Sequence, residues 1–548
     1  MNSRKELILV LFIFLLALAL RIYQLGIVPP SPDWDEAAIG YNAYSLLKTG
    51  RDEYGKFLPI VFRSFDDYKP PVYFYLAIPS IAIFGLNVFA VRLPSAILGS
   101  LTVLITYFLV KRLFADRKSS NKTLINSSLL AFISALLLAI SPWHLQFSRV
   151  AFETNIALFF NVTGVWLFLE GLKKPKIWLI SALFFALAPY SYHSARVFTP
   201  LLILGLFIVF RADIFKQRKW TIISGLIFSI LMLPLILTLL SPEGRLRLSG
   251  VSALADQTNI LTRDIKKIQD DNKNNFLPAK LFHNRRITYA LIVITGYLRH
   301  FDLNWLFLNG DIPRHHAPGV GILYLWELPF LFIGIYQLIF NEKKARNILV
   351  WWILIAPIAA APTVELPHAV RTLTFLPTFQ IITAYGLIFT AKYILARNVL
   401  YKISMIPYII FIVFNIIYYF HQYYIHLSIE TSQYWQYGYE QAVVGVKKVY
   451  NQYNKIIVST KLEQSHMFFL FYLRYDPQKY LQEGGSSSGG FKEKRNGFAK
   501  FEFRPLDIDH DQYPAKTLLV GTPDELTIGS IETIYNLDGS EAIKLVER

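Results

Sequence analysis

RKELILVLFIFLLALALRIYQLGIVPPSPDWDE, residues 4–36, carries the pattern that decides the fold. Arg4 and Lys5 precede a run from Leu7 to Leu20 without a charged residue. The apolar character lasts to Gly26, about 20 residues, enough at ~1.5 Å per residue to cross a ~30 Å hydrocarbon core. No small-residue cleavage site follows, so the run is expected to stay as a helix rather than leave as a signal peptide. Pro29, Pro30 and Pro32 stiffen the exit. Three acids in four positions, Asp33, Asp35 and Glu36, then flank Trp34 at the membrane surface. A short helix is expected from Glu36 to Lys48, with Tyr41, Tyr44 and Leu47 on one face. Asp35 falls at its N-cap, where a carboxylate is common. A cap needs one acid, so the cluster exceeds what a helix start requires.

The rest of the chain repeats this alternation. Of 548 residues, 54% are hydrophobic and 16% aromatic, and the mean hydropathy is +0.37. Soluble domains rarely reach that apolar share. Further apolar runs lie near 93–113, 125–142, 152–171, 177–192, 197–212, 220–240, 322–340, 347–361, 372–395 and 400–421. With 6–26 they predict a multi-pass α-helical membrane protein of about 11 transmembrane helices. The short loops on one side are strongly basic. They hold Arg4 and Lys5; Lys111, Arg112, Arg117, Lys118 and Lys122; Lys173, Lys174 and Lys176; Arg211, Lys216, Arg218 and Lys219; Lys343, Lys344 and Arg346; and Lys392, Arg397 and Lys402. They alternate with the proposed spans, as the positive-inside rule requires of cytoplasmic loops. The N-terminus is then cytoplasmic, and an odd number of spans places the C-terminus outside. The net charge of +17 belongs to these loops, so no nucleic-acid partner is expected. Val72 to Gly85 is apolar but only half a span; counting it as a full one would invert every later loop, so an interfacial or re-entrant helix is expected.

Residues 1–421 thus form the membrane domain, with long outer loops at 27–92 and 241–321. Residues 422–548 form a small extracytoplasmic α/β domain. Val443, Val446, Val449 and Tyr450 have helical spacing there, and Lys455–Ser459 and Thr517–Val520 look like strands. The stretch Gly484 to Gly490 reads as a flexible loop. The chain has no cysteine, which excludes disulfides, thiol catalysis and thiolate-held metals.

The outer turns carry the chemistry. Asp52 and Glu53 follow Thr49-Gly50-Arg51, and Asp66-Asp67-Tyr68-Lys69-Pro70-Pro71 closes the first loop. Arg92 opens the next span, a cation at a helix start that opposes both charge bias and helix dipole. Arg149 and Glu153, then His193 and Arg196, then His368 and Arg371 recur on later outer edges. Each arginine alone could snorkel to lipid headgroups. Together they predict a ring of cations around one cavity with the Asp35 loop. Arginine binds phosphate oxygens with paired donors, and a carboxylate nearby suits a general base. A sugar on polyprenyl phosphate leaves as phosphate, which needs neutralisation but no proton. One base activating an acceptor hydroxyl then suffices, unlike the paired carboxyls of most glycosidases, and direct displacement inverts the anomeric centre. Asp311, His315 and His316, with His300, lie in a loop without regular ligand spacing, so no metal is expected there.

The motifs Trp34-Asp35-Glu36, Thr49-Gly50-Arg51-Asp52, Lys69-Pro70-Pro71, Arg92-Leu93-Pro94-Ser95-Ala96, Ser141-Pro142 with Arg149 and Glu153, and Pro367-His368-Ala369-Val370-Arg371 occur in this order. Over residues 5–421 the chain resembles the GT-C glycosyltransferases of the protein O-mannosyltransferase and aminoarabinose lipid A transferase type. The resemblance implies the GT-C fold, an extracytoplasmic site and a polyprenyl-phosphate-sugar donor. It implies Asp35 as base with Glu36 beside it, and Lys69 and Arg92 holding the donor phosphate or shaping the site. Arg149, Glu153, His193, Arg196, His368 and Arg371 extend the expected donor site from the cation pattern. The acceptor is a protein, a lipid or a glycan. Related oligosaccharyltransferases use a divalent ion; the mannosyltransferase branch does not, so no cofactor is favoured. The compact, cysteine-free tail leans toward a prokaryotic plasma membrane. The alternative is a transporter or flippase for a lipid-linked or anionic substrate; uncharged span centres such as Leu7 to Leu20 and Ile97 to Val110 weigh against it.

Overall fold

The computed structural model describes residues 3–65, 67–115, 126–241, 253, 257–275, 279–397, 403, 405–487, 496–508, 510–527 and 529–548. Asp66, Arg117, Lys118, Lys122, Lys402 and residues 488–490, all named above, lie outside them.

The first apolar run is helix α1 (Ser3–Ile22). Helix α2 (Trp34–Thr49) begins two residues earlier than expected, because Asp33 and not Asp35 is its N-cap. Asp33 Oδ1 accepts from the Glu36 amide at 2.9 Å, and Glu36 Oε2 accepts from the Asp33 amide at 3.3 Å. This reciprocal capping box satisfies two otherwise orphaned donors. The helix stops at Gly50, whose φ of 70° suits glycine and whose amide bonds the Leu46 carbonyl. A two-stranded hairpin, β1 (Phe62–Ser64) and β2 (Asp67–Lys69), pairs Phe62 with Lys69. Helix α3 (Val72–Phe84) follows. Its 13 residues reach roughly 20 Å, short of a bilayer core.

The membrane helices continue with α4 (Val88–Leu113), α5 (Ser127–Ile140), α6 (Pro142–Ser148), α7 (Glu153–Gly171), α8 (Ile177–Leu187), α9 (Ala195–Lys216) and α10 (Arg218–Leu240). Among the described residues, α4, α9, α10, Leu373–Leu395 and Met405–Trp435 are each long and apolar enough to cross a membrane. Helices α5 and α6 add a sixth if the pair, bent by 59° at Ser141, is one span. The bend lies at the end of the expected third span, where Pro142 cannot continue the ladder of α5 and instead opens α6. Helix α4 lies at the centre, packed on α1, α3, α5 and α7.

The tail forms one six-stranded sheet in the order β4-β5-β3-β6-β8-β7. These strands are β3 (Lys455–Ser459), β4 (Asn496–Phe498), β5 (Phe501–Arg504), β6 (Thr517–Gly521), β7 (Glu532–Tyr535) and β8 (Glu541–Glu547). The two strands expected from sequence, β3 and β6, run parallel at its centre with Ile456 opposite Leu518. The helix Tyr439–Val449 buries Ala442, Val443 and Val446 against the sheet, while Val449 and Tyr450 are only partly covered. The helix Ser465–Leu473 packs beside it, and its other side meets α2. A Cβ on Gly40 of α2 would stand 2.6 Å from Phe471 Cε2 and 2.7 Å from Val91 Cγ2, so only glycine permits this approach. Tyr41 Oη donates to the Tyr475 carbonyl at 3.3 Å, and Ser31 Oγ and Tyr472 Oη share a bond of 3.1 Å. Buried Glu53 bonds Asn42 of α2 at 2.9 Å and also bonds Ser486 of the tail. One continuous apolar core thus joins the first outer loop to the tail.

Candidate active site

The prolines after α1 and the end of that helix leave carbonyls without helical N–H partners, and buried carbonyls need donors. Two arginines supply them. Arg92 donates from Nη1 to the Leu25 and Pro29 carbonyls at 3.2 and 2.9 Å, and from Nη2 to the Ser31 carbonyl at 2.7 Å. Its Nε and Nη2 also hold Glu36 in a fork at 2.9 and 2.8 Å. Arg149 donates to the Leu20, Arg21 and Val28 carbonyls at 2.7, 3.2 and 3.1 Å, and to Tyr423 Oη at 3.2 Å. Both guanidiniums are fully buried. Arg92 and Arg149 therefore brace the loop after α1, which for Arg92 is the site-shaping alternative that the motifs left open. The Arg149 charge sits at the C-terminal end of α1, on the Leu20 and Arg21 carbonyls, where a helix dipole favours it.

Glu36 belongs to the same framework. It has 0% side-chain exposure. Besides Arg92 and the Asp33 amide, Glu36 Oε1 accepts from the Ala151 amide at 2.7 Å. Both oxygens are engaged by the framework, which places Glu36 beside Asp35 as a brace.

Asp35 differs from its neighbours. With the cap supplied by Asp33, its carboxylate turns to Lys69 Nζ at 2.5 Å and keeps 25% of its side chain exposed. Burial works against the Lys69 charge, but Asp35, Glu153 and Asp33 hold the ammonium above its ordinary range. Burial, with Asp35 and Glu36 close by, pushes the Asp33 carboxyl up to about 7. Arg314 tempers that rise: its Nη1 stands 3.4 Å from Asp33 Oδ2 and its guanidinium lies 4.6 Å over the Trp34 ring. Sequence reasoning missed Arg314, because 281 positions separate it from Asp33. It also missed Arg21, which bonds the Ala139 carbonyl at 3.2 Å and His144 Nδ1 at 2.7 Å.

Most of the remaining candidates lie within electrostatic reach of one another and of Lys69. Tyr192 lies within electrostatic reach of Arg371, Glu153, Lys69 and Asp35, and His193 within that of Arg196 and Lys69. Burial pushes His193 well below the usual imidazole range, and its Nε2 has no partner. Among the described residues Arg196 bonds the Pro189 carbonyl alone, through Nε at 3.4 Å. Arg371 uses Nη1 alone, on Thr363 Oγ1 at 2.7 Å and the Val364 carbonyl at 2.6 Å. The cation ring is thus two sets. Among the described residues Arg92 uses all five of its N–H donors and Arg149 four, whereas Lys69, Arg196 and Arg371 engage fewer of theirs. His368 sits on a second cluster with Asp311 and His315; its amide donates to His300 Nε2 at 3.3 Å. A divalent ion does not fit at Asp35, because the Lys69 ammonium stands where the ion would.

Residues 68–237 match the family described as dolichyl-phosphate-mannose-protein mannosyltransferase. That segment holds Lys69, Arg92, Arg149, Glu153, His193 and Arg196 but begins after Asp35. YkcB of Bacillus subtilis (strain 168), provisionally assigned as a mannosyltransferase, is 27% identical over 191 residues, 33% of this chain and 24% of that protein. The chain therefore spans about a quarter of the curated relative it matches. The structure of ArnT from Cupriavidus metallidurans bound to undecaprenyl phosphate superposes with a TM-score of 0.53 at 12% identity, over 98% of this chain and 97% of that one. Its apo form gives 0.52 at 11% identity, with the same coverage. The chain shares the fold of that protein nearly end to end, and the GT-C resemblance drawn from the loop motifs holds.

Proposed function

We propose that this protein is an inverting glycosyltransferase that moves a hexosyl or pentosyl group from a polyprenyl-phosphate donor to an acceptor hydroxyl or amine on the outer face of the membrane. The observation that carries the proposal is the divided acidic cluster. Asp33 caps, Glu36 braces, and Asp35 alone is exposed beside Lys69 and the unsaturated arginines. In the proposed step Asp35 takes the acceptor proton as the acceptor atom attacks the anomeric carbon. The bond from that carbon to the phosphate oxygen breaks, and the carrier leaves as a phosphate monoester with one more negative charge. Lys69, Arg196 and Arg371 neutralise that charge, and a preorganised donor set of this kind lowers the barrier most where charge develops. The phosphate draws the Lys69 ammonium toward itself and releases the Asp35 carboxylate as base. His193 Nε2, within electrostatic reach of Lys69 and without a partner among the described residues, is a candidate contact for a sugar hydroxyl.

The relative bound to undecaprenyl phosphate supports a lipid-phosphate donor, and the matched mannosyltransferase family supports a sugar as the transferred group. Alternating basic loops support eleven spans, a cytoplasmic N-terminus and an extracytoplasmic tail; the cysteine-free, compact tail supports a prokaryotic plasma membrane. The transporter alternative is not favoured, since Asp35, Lys69, Glu153, Arg196 and Arg371 sit on loops and helix ends rather than at mid-span. The test is incubation of the purified chain, in nanodiscs, with a polyprenyl-phosphate-linked sugar of known anomeric configuration and native membrane extract as acceptor. Transfer with inverted configuration is expected. Retained configuration refutes the single-base mechanism, and no transfer from any such donor refutes the donor class.

A further inference from the structure

Asp311, His315 and His368 each offer one ligand atom, and these atoms lie within 4.8 Å of one another. Two come from the loop before the helix Glu327–Asn341, and the third from the loop before the helix Thr378–Leu395. The His315 and His368 rings are 5.1 Å apart, tilted by 40°. Asp311 Oδ2 stands 3.0 Å from His315 Nδ1. Two ligands on a tetrahedral zinc with bonds of about 2.0–2.1 Å lie about 3.3 Å apart, so an ion could replace the direct hydrogen bond of this pair with a parting of only about 0.3 Å. The third donor need close by about 1.5 Å at most to reach it. His368 is buried, and its Nδ1 has no hydrogen-bond partner. A buried polar atom left unpaired carries a cost that a ligand would remove.

The supports of the cluster are those of a ligand set. Asp311 is oriented by the Ile312 amide at 2.9 Å and the Ala369 amide at 2.5 Å. His315 is walled by Phe147 and Phe152, with ring centroids 5.5 and 6.0 Å away. The two nearby guanidiniums are turned elsewhere: Arg314 to Asp33 and Trp34, Arg371 to Thr363 and Val364. Two imidazoles and one carboxylate suit a zinc-class divalent ion, with water as fourth ligand.

We infer that Asp311, His315 and His368 form a binding site for a zinc-class divalent cation that ties the two loops together. The ion acts through position and does not touch Asp35. Arg314, next to ligand His315, is thereby held against the Asp33 cap and the Trp34 ring. The inference does not depend on the transferase activity, and its readout is the metal itself.

The test uses the full chain in detergent micelles, stripped with chelator and titrated with Co²⁺ and Zn²⁺. One Co²⁺ per chain is expected, with the visible absorption of a four-coordinate ion. His315→Gln and His368→Gln are expected to weaken binding at least ~10-fold, since even losing an outer partner of a ligand costs that much. His316→Gln is expected to leave binding unchanged. If the His variants fail to fold, X-ray absorption on the zinc-loaded wild-type chain decides: a nitrogen and oxygen shell near ~2.0–2.1 Å with two imidazoles is expected. No stoichiometric uptake by the wild-type chain, equal uptake by the folded variants, or a shell without two imidazoles overturns the inference. No cysteine competes for the ion, because the chain has none.

Discussion

Replacing Arg92 with methionine tests the division of the cations directly. Arg92→Met removes two bonds to Glu36 and three to the carbonyls of Leu25, Pro29 and Ser31. Removing one partner of a buried ion pair costs about 3–5 kcal/mol. Each orphaned carbonyl costs up to ~1–3 kcal/mol, although these losses overlap because the loop can relax. A net destabilisation of about 4–6 kcal/mol is expected, large enough to unfold many proteins. Glu36→Leu alone leaves the Arg92 charge unpaired and is expected to cost about 3–5 kcal/mol. The double variant removes both charges, so its cost falls short of the sum by a coupling of roughly 2–3 kcal/mol. The assay is denaturant unfolding of the full chain in mixed micelles, alongside donor binding to the folded fraction. Stability should fall while the folded fraction keeps its donor affinity within about threefold. An Arg92→Met chain as stable as wild type that binds donor 100-fold more weakly would refute the framework role and restore Arg92 as a phosphate ligand.

Other outcomes follow from the same geometry. Arg196→Ala and Arg371→Ala should each raise the donor KM about 10–150-fold, the ~1.5–3 kcal/mol of a charge-assisted hydrogen bond, with little change in unfolding; steady-state kinetics at varied donor reads this. Asp33 has its folded pKa raised from 3.8 to about 7. Its protonated form therefore contributes stability that is fully present below pH ~4 and is lost as pH rises toward 7, at up to ~1.4 kcal/mol per pH unit. Subtracting the stability profile of Asp33→Asn from that of wild type should isolate this falling limb; a flat difference between pH 4 and 7 contradicts the assignment. Gly40→Ala forces its new carbon against Phe471 and Val91 and should cost about 1–3 kcal/mol. Limited proteolysis should then release the tail faster than in wild type.

The first helix, the acidic loop, Lys69 and the central strands of the tail were all legible from local pattern. So was the N-cap, in principle: Asp33 and Glu36 have the spacing of a capping box, and that pair outranks Asp35 because each side chain satisfies the other's backbone. The choice between framework and site was not legible. Arg92 reaches carbonyls 61 to 67 positions away, and no periodicity encodes which arginine will meet them. His368 joins Asp311 across 57 positions for the same reason. What sequence did show was that Arg92 has no business at the start of α4; the structure explains this by pairing its charge with Glu36 and the loop carbonyls of Leu25, Pro29 and Ser31.

The central claim is that Asp35 is the base. Asp35→Asn keeps the size of the side chain and leaves the Asp33 cap and the Glu36 brace intact. Single-turnover transfer from a labelled polyprenyl-phosphate sugar should fall about 10²–10⁴-fold, the usual contribution of a positioned base, with the protein folded and donor still bound. An Asp35→Asn protein that transfers the sugar at the wild-type rate would contradict the account.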